Sequence, residues 1–230
     1  MTKCLVVPKI SLEKLSIWKR LEKVNDQISS VVNFQENELE EFFALIDKEK
    51  IFLERQGIDG VETKPEWQQI IVIGLIIQSG RFFVYQRGDA SSSSKETRLH
   101  SKISVGIGGH VEPFDNGLFK AFKRELSEEL EFYIDETKIP LPDKIKTMGI
   151  IKSEKDEVGM VHTGLIFIID LDNPKITVDL KGNENAKNWM TTFEEYQKLL
   201  SSNEYEPEDW TILLVEKVIQ PILERKISID

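Results

Sequence analysis

The sequence has little cysteine, little histidine and a deficit of positive charge. Cys4 is the single cysteine among 230 residues, which excludes an internal disulfide and a cysteine-based zinc site. Long hydrophobic runs are missing as well. The longest, Ile70 to Ile77 with a glycine inside it, falls far short of the roughly 20 residues that a bilayer span needs. At the N-terminus, Lys3 and Lys9 bracket a segment too short for the apolar region of a signal peptide. These absences predict a cytoplasmic protein with no membrane partner. Acidic residues number 40 against 30 basic ones, a net charge of −10. Nucleic-acid polymers are therefore not expected partners. Small phosphorylated ligands remain open, because a divalent cation reverses the local sign of a carboxylate-rich pocket.

With 40% hydrophobic residues there is enough apolar material for a core. Cys4–Val7 reads as a short strand. Beyond it the first 65 residues predict a mainly helical N-terminal extension. Ser11 opens a helix carrying Leu15, Trp18, Leu21 and Val24 at helical spacing, and a second apolar set runs from Phe42 to Leu53. Gly57–Lys64, closed by Pro65, reads as a linker. Residues 66–230 then form the second domain. Ile70–Ile77 and Arg81–Arg87 flank Ser79-Gly80 as a β-hairpin, Ala90–Ser94 is a polar loop, and Ile103–Ile107 is a strand. A helix is expected over Asn116–Phe132, strands over Met148–Lys152 and His162–Leu171, and a loop over Ser153–Gly159. Helices follow at Phe193–Leu200 and Glu208–Arg225, the last interrupted at Pro221. Without regular βα alternation, the class is α+β with a mixed β-sheet sandwiched between helices.

The chemistry concentrates in Gly108-Gly109-His110-Val111-Glu112-Pro113, Asp115 and Arg124-Glu125-Leu126-Ser127-Glu128-Glu129. On a helix, Leu118, Phe119, Phe122, Leu126 and Leu130 share an arc of about 120°. Glu125 lies at its edge and Glu129 within it. Carboxylates at i, i+3 and i+4 can converge on one point, and three clustered negative charges call for a cation. Hard oxygen donors suit Mg²⁺ or Mn²⁺. The quartet alone is weak. At 40 acids in 230 residues, a basic residue followed by acids at those offsets arises in about one chain in six. The adjacent glycines strengthen it by letting backbone approach a ligand closely.

This pattern resembles the signature of the Nudix hydrolases, the MutT-like family. Gly109 matches the box glycine, Asp115 its first acid, and Arg124, Glu125, Leu126, Glu128 and Glu129 its core, with Phe132 as the closing apolar residue. Asp115 replaces the usual glutamate, one extra residue precedes Arg124, and Glu131 occupies the usual glycine position. The insertion is placed at Asn116-Gly117. The runs Arg98–Val111 and Val158–Leu165 resemble a bacterial branch of the family, and Glu184–Trp189 resembles the segment that often follows its last long strand. The resemblance implies a Mg²⁺- or Mn²⁺-dependent hydrolase that cleaves a pyrophosphate linkage in a nucleoside diphosphate linked to another group. It implies Glu125, Glu128 and Glu129 as metal ligands or, for one of them, the base acting on water. The Gly109 carbonyl and Glu112 are implied further ligands, and Arg124 a residue that orients a glutamate such as Glu128. His110 and Arg87 are the candidate substrate contacts.

His100, His110 and His162 show no metal-ligand spacing. Trp67, Phe83, Tyr85 and Trp189 could stack on a base, although sheet packing is their ordinary role. Two other readings compete. One is a non-catalytic nucleotide-binding or sensor module, which has no reason to keep carboxylates in a costly position. The other is prenyl-diphosphate isomerisation, which needs a protonating group, and Cys4 is remote from the box in sequence. A homodimer is the default assembly.

Overall fold

The structure is a computed structural model describing residues 2–87, 102–181, 187–202 and 204–227. The N-terminal elements are strand β1 (Lys3–Pro8), one-turn helices α1 (Lys9–Leu12) and α2 (Ser16–Lys19), strands β2 (Lys23–Val24) and β3 (Gln27–Asn33), helix α3 (Glu38–Glu49) and strand β4 (Ile51–Glu54). A 3₁₀ turn at Val61–Thr63 precedes strands β5 (Trp67–Gln78), β6 (Arg81–Gln86), β7 (Ile103–Ser104) and β8 (Ile107–His110), then helix α4 (Leu118–Glu129). Strands β9 (Leu130–Ile134), β10 (Thr137–Ile139) and β11 (Ile145–Ser153) lead to helix α5 (Glu157–Val161). Strands β12 (His162–Asp170), β13 (Ile176–Leu180) and β14 (Asn188–Thr191) follow. Last come helices α6 (Phe193–Ser201) and α7 (Asp209–Leu214), a π-helical turn at Val215–Ile219, and α8 (Gln220–Leu223). A large sheet with helices and no βα alternation is the expected α+β class.

The chain divides into two compact units. The first comprises Met1–Ile73, Gly108–Arg124 and Thr147–Phe167. In it, β1 pairs antiparallel with β4 and with the start of β5, and β3 pairs with β11 and β2. Gly149 lets β11 approach β3 closely, since a Cβ there would lie 2.0 Å from the Val32 carbonyl oxygen. Phe122 and Phe167, both fully buried, stack at 4.1 Å between ring centroids. The second unit comprises Gly74–Ile107, Glu125–Lys146 and Ile168–Asp230. There β6 pairs antiparallel with β5, β7 and β14, and β9 lies between β10 and β13. Ser79 and Gly80 both take positive φ, the turn expected of the β5–β6 hairpin.

Helical spacing misleads in three places. Between Ser11 and Val24 the structure has only two one-turn helices, and Val24 sits in β2. Asn25 and Asp26, with φ of 52° and 64°, make a two-residue hairpin turn into β3. Ile51–Leu53 is strand, its residues opposite Val6, Leu5 and Cys4. The helix expected to reach Phe132 stops at Glu129. Leu130 and Phe132 are instead buried members of β9, which gains ladder partners on both sides. Phe119, assigned to the buried arc, is 43% exposed, and Leu118, Ala121, Phe122 and Leu126 form the buried face. The C-terminal helix is interrupted as expected. Pro221 has no N–H to give, and the π-helical turn just before it takes up the mismatch. The linker expected at Gly57–Lys64 contains the 3₁₀ turn, anchored by fully buried Val61. The Ala90–Ser94 loop, and residues 98–101 of Arg98–Val111, lie outside the described residues.

A lysine holds the centre of the first unit. Lys152 is fully buried. Its Nζ donates to Gln68 Oε1 at 2.7 Å and to the carbonyl oxygens of Gly159, Met160 and His162 at 2.6, 2.8 and 3.2 Å. Those acceptors belong to β5, to α5 and to the start of β12, so one amine ties three elements. Burial pulls its pKa down to about 7; Glu154 and Asp156 oppose that pull and Lys9 adds to it. Lys152→Met is expected to cost about 2–4 kcal/mol at pH 7, because it takes the Nζ donor from the Gly159 and His162 carbonyl oxygens and one of two donors from the Met160 carbonyl oxygen and Gln68 Oε1. Between the folded pKa and the higher unfolded one, the unfolded chain binds the extra proton, so wild-type stability gains with rising pH. Urea unfolding of both proteins should therefore show the gap between them widening from pH 7 to pH 9. A gap that narrows contradicts the assignment.

Candidate functional site

In the first unit the Gly108-Gly109 strand end leads toward α4 through a loop clasped by one arginine. Gly108 has φ +147°, and a Cβ there would lie 2.0 Å from the Val72 carbonyl oxygen. Only glycine fits. The Asp115 carboxylate is buried and accepts from the Glu112 backbone N–H at 2.7 Å. Arg124 forks onto it, Nε to Oδ1 at 2.7 Å and Nη2 to Oδ2 at 2.9 Å, while Nη2 also donates to the His110 carbonyl oxygen at 2.8 Å. Helical spacing pointed Arg124 at Glu128; the structure shows it on Asp115 and the His110 carbonyl, partners that spacing does not reveal. Asn116 and Gly117 both take positive φ in the loop just before α4, where the extra residue was placed.

His110 turns its ring into a buried polar cluster. Its Nε2 lies 3.0 Å from both Gln69 Oε1 and His162 Nε2. His162 Nδ1 is 2.6 Å from the Val158 carbonyl oxygen. Together with Glu62, the two histidines bring three ligand-type atoms within 4.8 Å of one another. The sequence spacing of the histidines gave no sign of this meeting, because it is made through β5, which pairs with both β8 and β12. His100 lies outside the described residues. Burial holds His110 well below the usual imidazole range, and the neighbouring His162, Arg55 and Arg124 lower it further. Cys4 is remote in sequence yet close in space. Its Sγ donates to the same Gln69 Oε1 at 3.3 Å, and burial pushes the thiol up to about 12, which keeps it protonated.

The second unit carries the three glutamates and Arg87. Glu125 and Glu129 are half-buried and Glu128 is exposed, all at the C-terminal end of α4. Arg87 pairs through Nε with Glu208, and its guanidinium lies 5.6 Å from the centre of the Tyr85 ring. Burial pulls the Arg87 pKa down, but Tyr85, Glu208 and Glu129 push it above its ordinary value, so the group stays charged. Glu129 is thus close enough to Arg87 to be felt electrostatically. Glu208 is buried, also accepts from Ser104 Oγ at 3.2 Å, and precedes α7. No feature of the acid-rich Glu204–Asp209 stretch singled it out. Among the aromatic candidates, Phe83 and Tyr85 stack on each other and Trp189 packs on Tyr205, the ordinary role expected of them. Tyr85 also donates to the Gly106 carbonyl oxygen at 3.0 Å. Of Glu184–Trp189, only residues 187–189 are described, and Trp189 lies in β14. Among the described residues no helix is long and apolar enough to cross a membrane.

Because Arg124 and Asp115 satisfy each other in a largely buried setting, their substitutions should not add. In a double-mutant cycle of Arg124→Gln and Asp115→Asn, followed by urea unfolding, a coupling of about 1–3 kcal/mol is expected. Strict additivity would remove the clasp from the account.

No family model matches the chain. Protein YmaB of Bacillus subtilis (strain 168) is 32% identical over 138 residues, a match covering 58% of this chain and 64% of the length of that relative. Among solved structures, Tm1382, described as a candidate Nudix hydrolase, superposes with a TM-score of 0.65 at 21% identity. That match covers 95% of this chain and 98% of Tm1382. The chain therefore has the fold of the Nudix hydrolases.

Proposed function

We propose that this chain is a divalent-metal-dependent Nudix hydrolase that cleaves a pyrophosphate linkage in a nucleoside diphosphate joined to another group. The observation that carries the reading is the placement of Glu125, Glu128 and Glu129 on one turn-and-a-bit of α4, two of them half-buried, within a fold of that kind. Such carboxylates are the hard oxygen donors that suit Mg²⁺ or Mn²⁺, so the residues present fit the ion. Gly109 and Glu112 join the proposed ligand set by resemblance. Once bound, a cation of this kind offsets the charge of the diphosphate and eases attack by water on phosphorus.

The remaining roles belong to the chain itself. One of the three glutamates takes the proton from the attacking water. Arg124 is a positioning residue, since its fork fixes Asp115 and the His110 carbonyl and so the loop that leads into α4. Arg87 and His110 are the proposed substrate contacts. The side chain of each already has a protein partner, Glu208 for Arg87 and Gln69 with His162 for His110, and each would have to share it with a phosphate. The reading places the enzyme in the cytoplasm, acting on a small molecule, with a homodimer as its expected assembly.

Glu129→Gln should lower metal-dependent turnover by at least about a hundredfold while leaving the unfolding midpoint close to wild type. The measurement is phosphate or nucleotide release from nucleoside triphosphates, dinucleoside polyphosphates, nucleotide sugars and NADH, with Mg²⁺ and then Mn²⁺. Wild-type rates in the variant would sink the assignment. Tight nucleotide binding by the wild type without turnover on the whole panel would favour the non-catalytic module instead.

A further inference from the structure

We propose that the first unit holds a separate site for a transition-metal ion of the zinc type, formed by Nε2 of His110, Nε2 of His162 and a carboxylate oxygen of Glu62. The ligand atoms lie within 4.8 Å of one another. They come from the 3₁₀ turn at Val61–Thr63, the end of β8 and the start of β12, three stretches far apart in sequence and all in one compact unit. Ligand atoms about 2.0–2.1 Å from a tetrahedral ion sit about 3.3 Å apart. The two Nε2 atoms stand 3.0 Å apart, with the rings edge-on at 71°. A few tenths of an ångström of ring movement brings the nitrogens to that spacing, and the Glu62 carboxylate, within 4.8 Å of them, closes in by about an ångström to complete the seat.

The surroundings are built as the supports of a metal site are. With Val158's carbonyl oxygen 2.6 Å away, His162 Nδ1 carries the hydrogen, and Nε2 presents a lone pair to the cluster. A carbonyl behind the ring is the usual orienting partner of a metal-bound histidine. Arg55 Nε donates to Glu62 Oε1 at 2.6 Å and fixes that carboxylate. In the metal-free chain, His110 Nε2–H is shared between Gln69 Oε1 and His162 Nε2. Binding the ion requires the other tautomer of His110, with its hydrogen on Nδ1, so no net proton leaves. The metal-free network does not close on itself either, because Gln69 Nε2 is buried without a hydrogen-bond partner. Glu62 and His110 are half-buried, which gives an ion a way in from solvent.

The donor set selects the class of ion. Two imidazoles and one carboxylate favour zinc and its late first-row neighbours over Mg²⁺ or Mn²⁺, and three protein ligands leave a coordination position for water or a ligand. This set shares no side chain with the α4 carboxylates; it shares His110 with the proposed substrate contacts, and an ion on Nε2 leaves Nδ1–H of that ring for a phosphate.

The test uses the full chain, stripped with a chelator and titrated with Zn²⁺ against a chromogenic competitor. One ion per chain is expected at this site. Its affinity should fall at least about tenfold in Glu62→Gln and further in His162→Gln. Co²⁺ in the wild type should give the strong visible bands of a four-coordinate ion. Those bands should persist in Glu125→Gln, which separates this site from α4. X-ray absorption at the zinc edge of the wild type needs no variant to fold, and two imidazole ligands are expected there. Failure of the wild type to take up Zn²⁺, an all-oxygen shell, or unchanged affinity in both folded variants would each overturn the proposal.

Discussion

A guanidinium gripping a buried carboxylate organises the loop between β8 and α4. Arg124 satisfies both oxygens of Asp115 and the His110 carbonyl in one planar fork, and a buried charge is tolerable only when paired in this way. That fork fixes where the Gly108-Gly109 strand end stands relative to the start of α4. The strand end is itself held by a glycine no other residue could replace, because the Val72 carbonyl fills the space a Cβ would need. Glu125, Glu128 and Glu129 follow Arg124 in sequence along α4.

The same economy recurs in both units. Lys152 gathers four acceptors from three elements, and Arg87 is neutralised by Glu208 while lying against the Tyr85 ring. In each case a long basic side chain crosses the gap between elements and meets oxygens held away from water. Charge makes up 30% of the chain, and the buried part of it serves as fastening. The cluster of His110, His162 and Glu62 differs in kind. It brings neutral nitrogens and a carboxylate together with more lone pairs than hydrogens, which is the electronic condition of a metal seat.

Much of this was legible from residue order where the physics is local. The β5–β6 hairpin follows from two apolar runs around Ser79-Gly80, and α4 follows from its apolar stripe with the three glutamates beside it. The α+β class follows from the lack of alternation. Local pattern failed where a longer-range partner decided the outcome. Leu130–Ile134 could have prolonged the helix, but β10 and β13 offered ladder hydrogen bonds on both sides. Ile51–Leu53 looked helical beside α3, and β1 drew it into the sheet. The Asn25-Asp26 turn was a readable signal lost beneath the spacing of Leu15, Trp18, Leu21 and Val24.

By itself, the sequence determined that one helix carries three carboxylates at i, i+3 and i+4 behind a glycine pair, since helix geometry converts spacing directly into direction. Tertiary structure alone decided who meets whom across the fold: Arg124 with Asp115, Arg87 with Glu208, and His110 with His162, 52 residues apart. Such meetings are set by strand pairing and by the shape of the packed core. Neither is written in the spacing of the residues that come to touch.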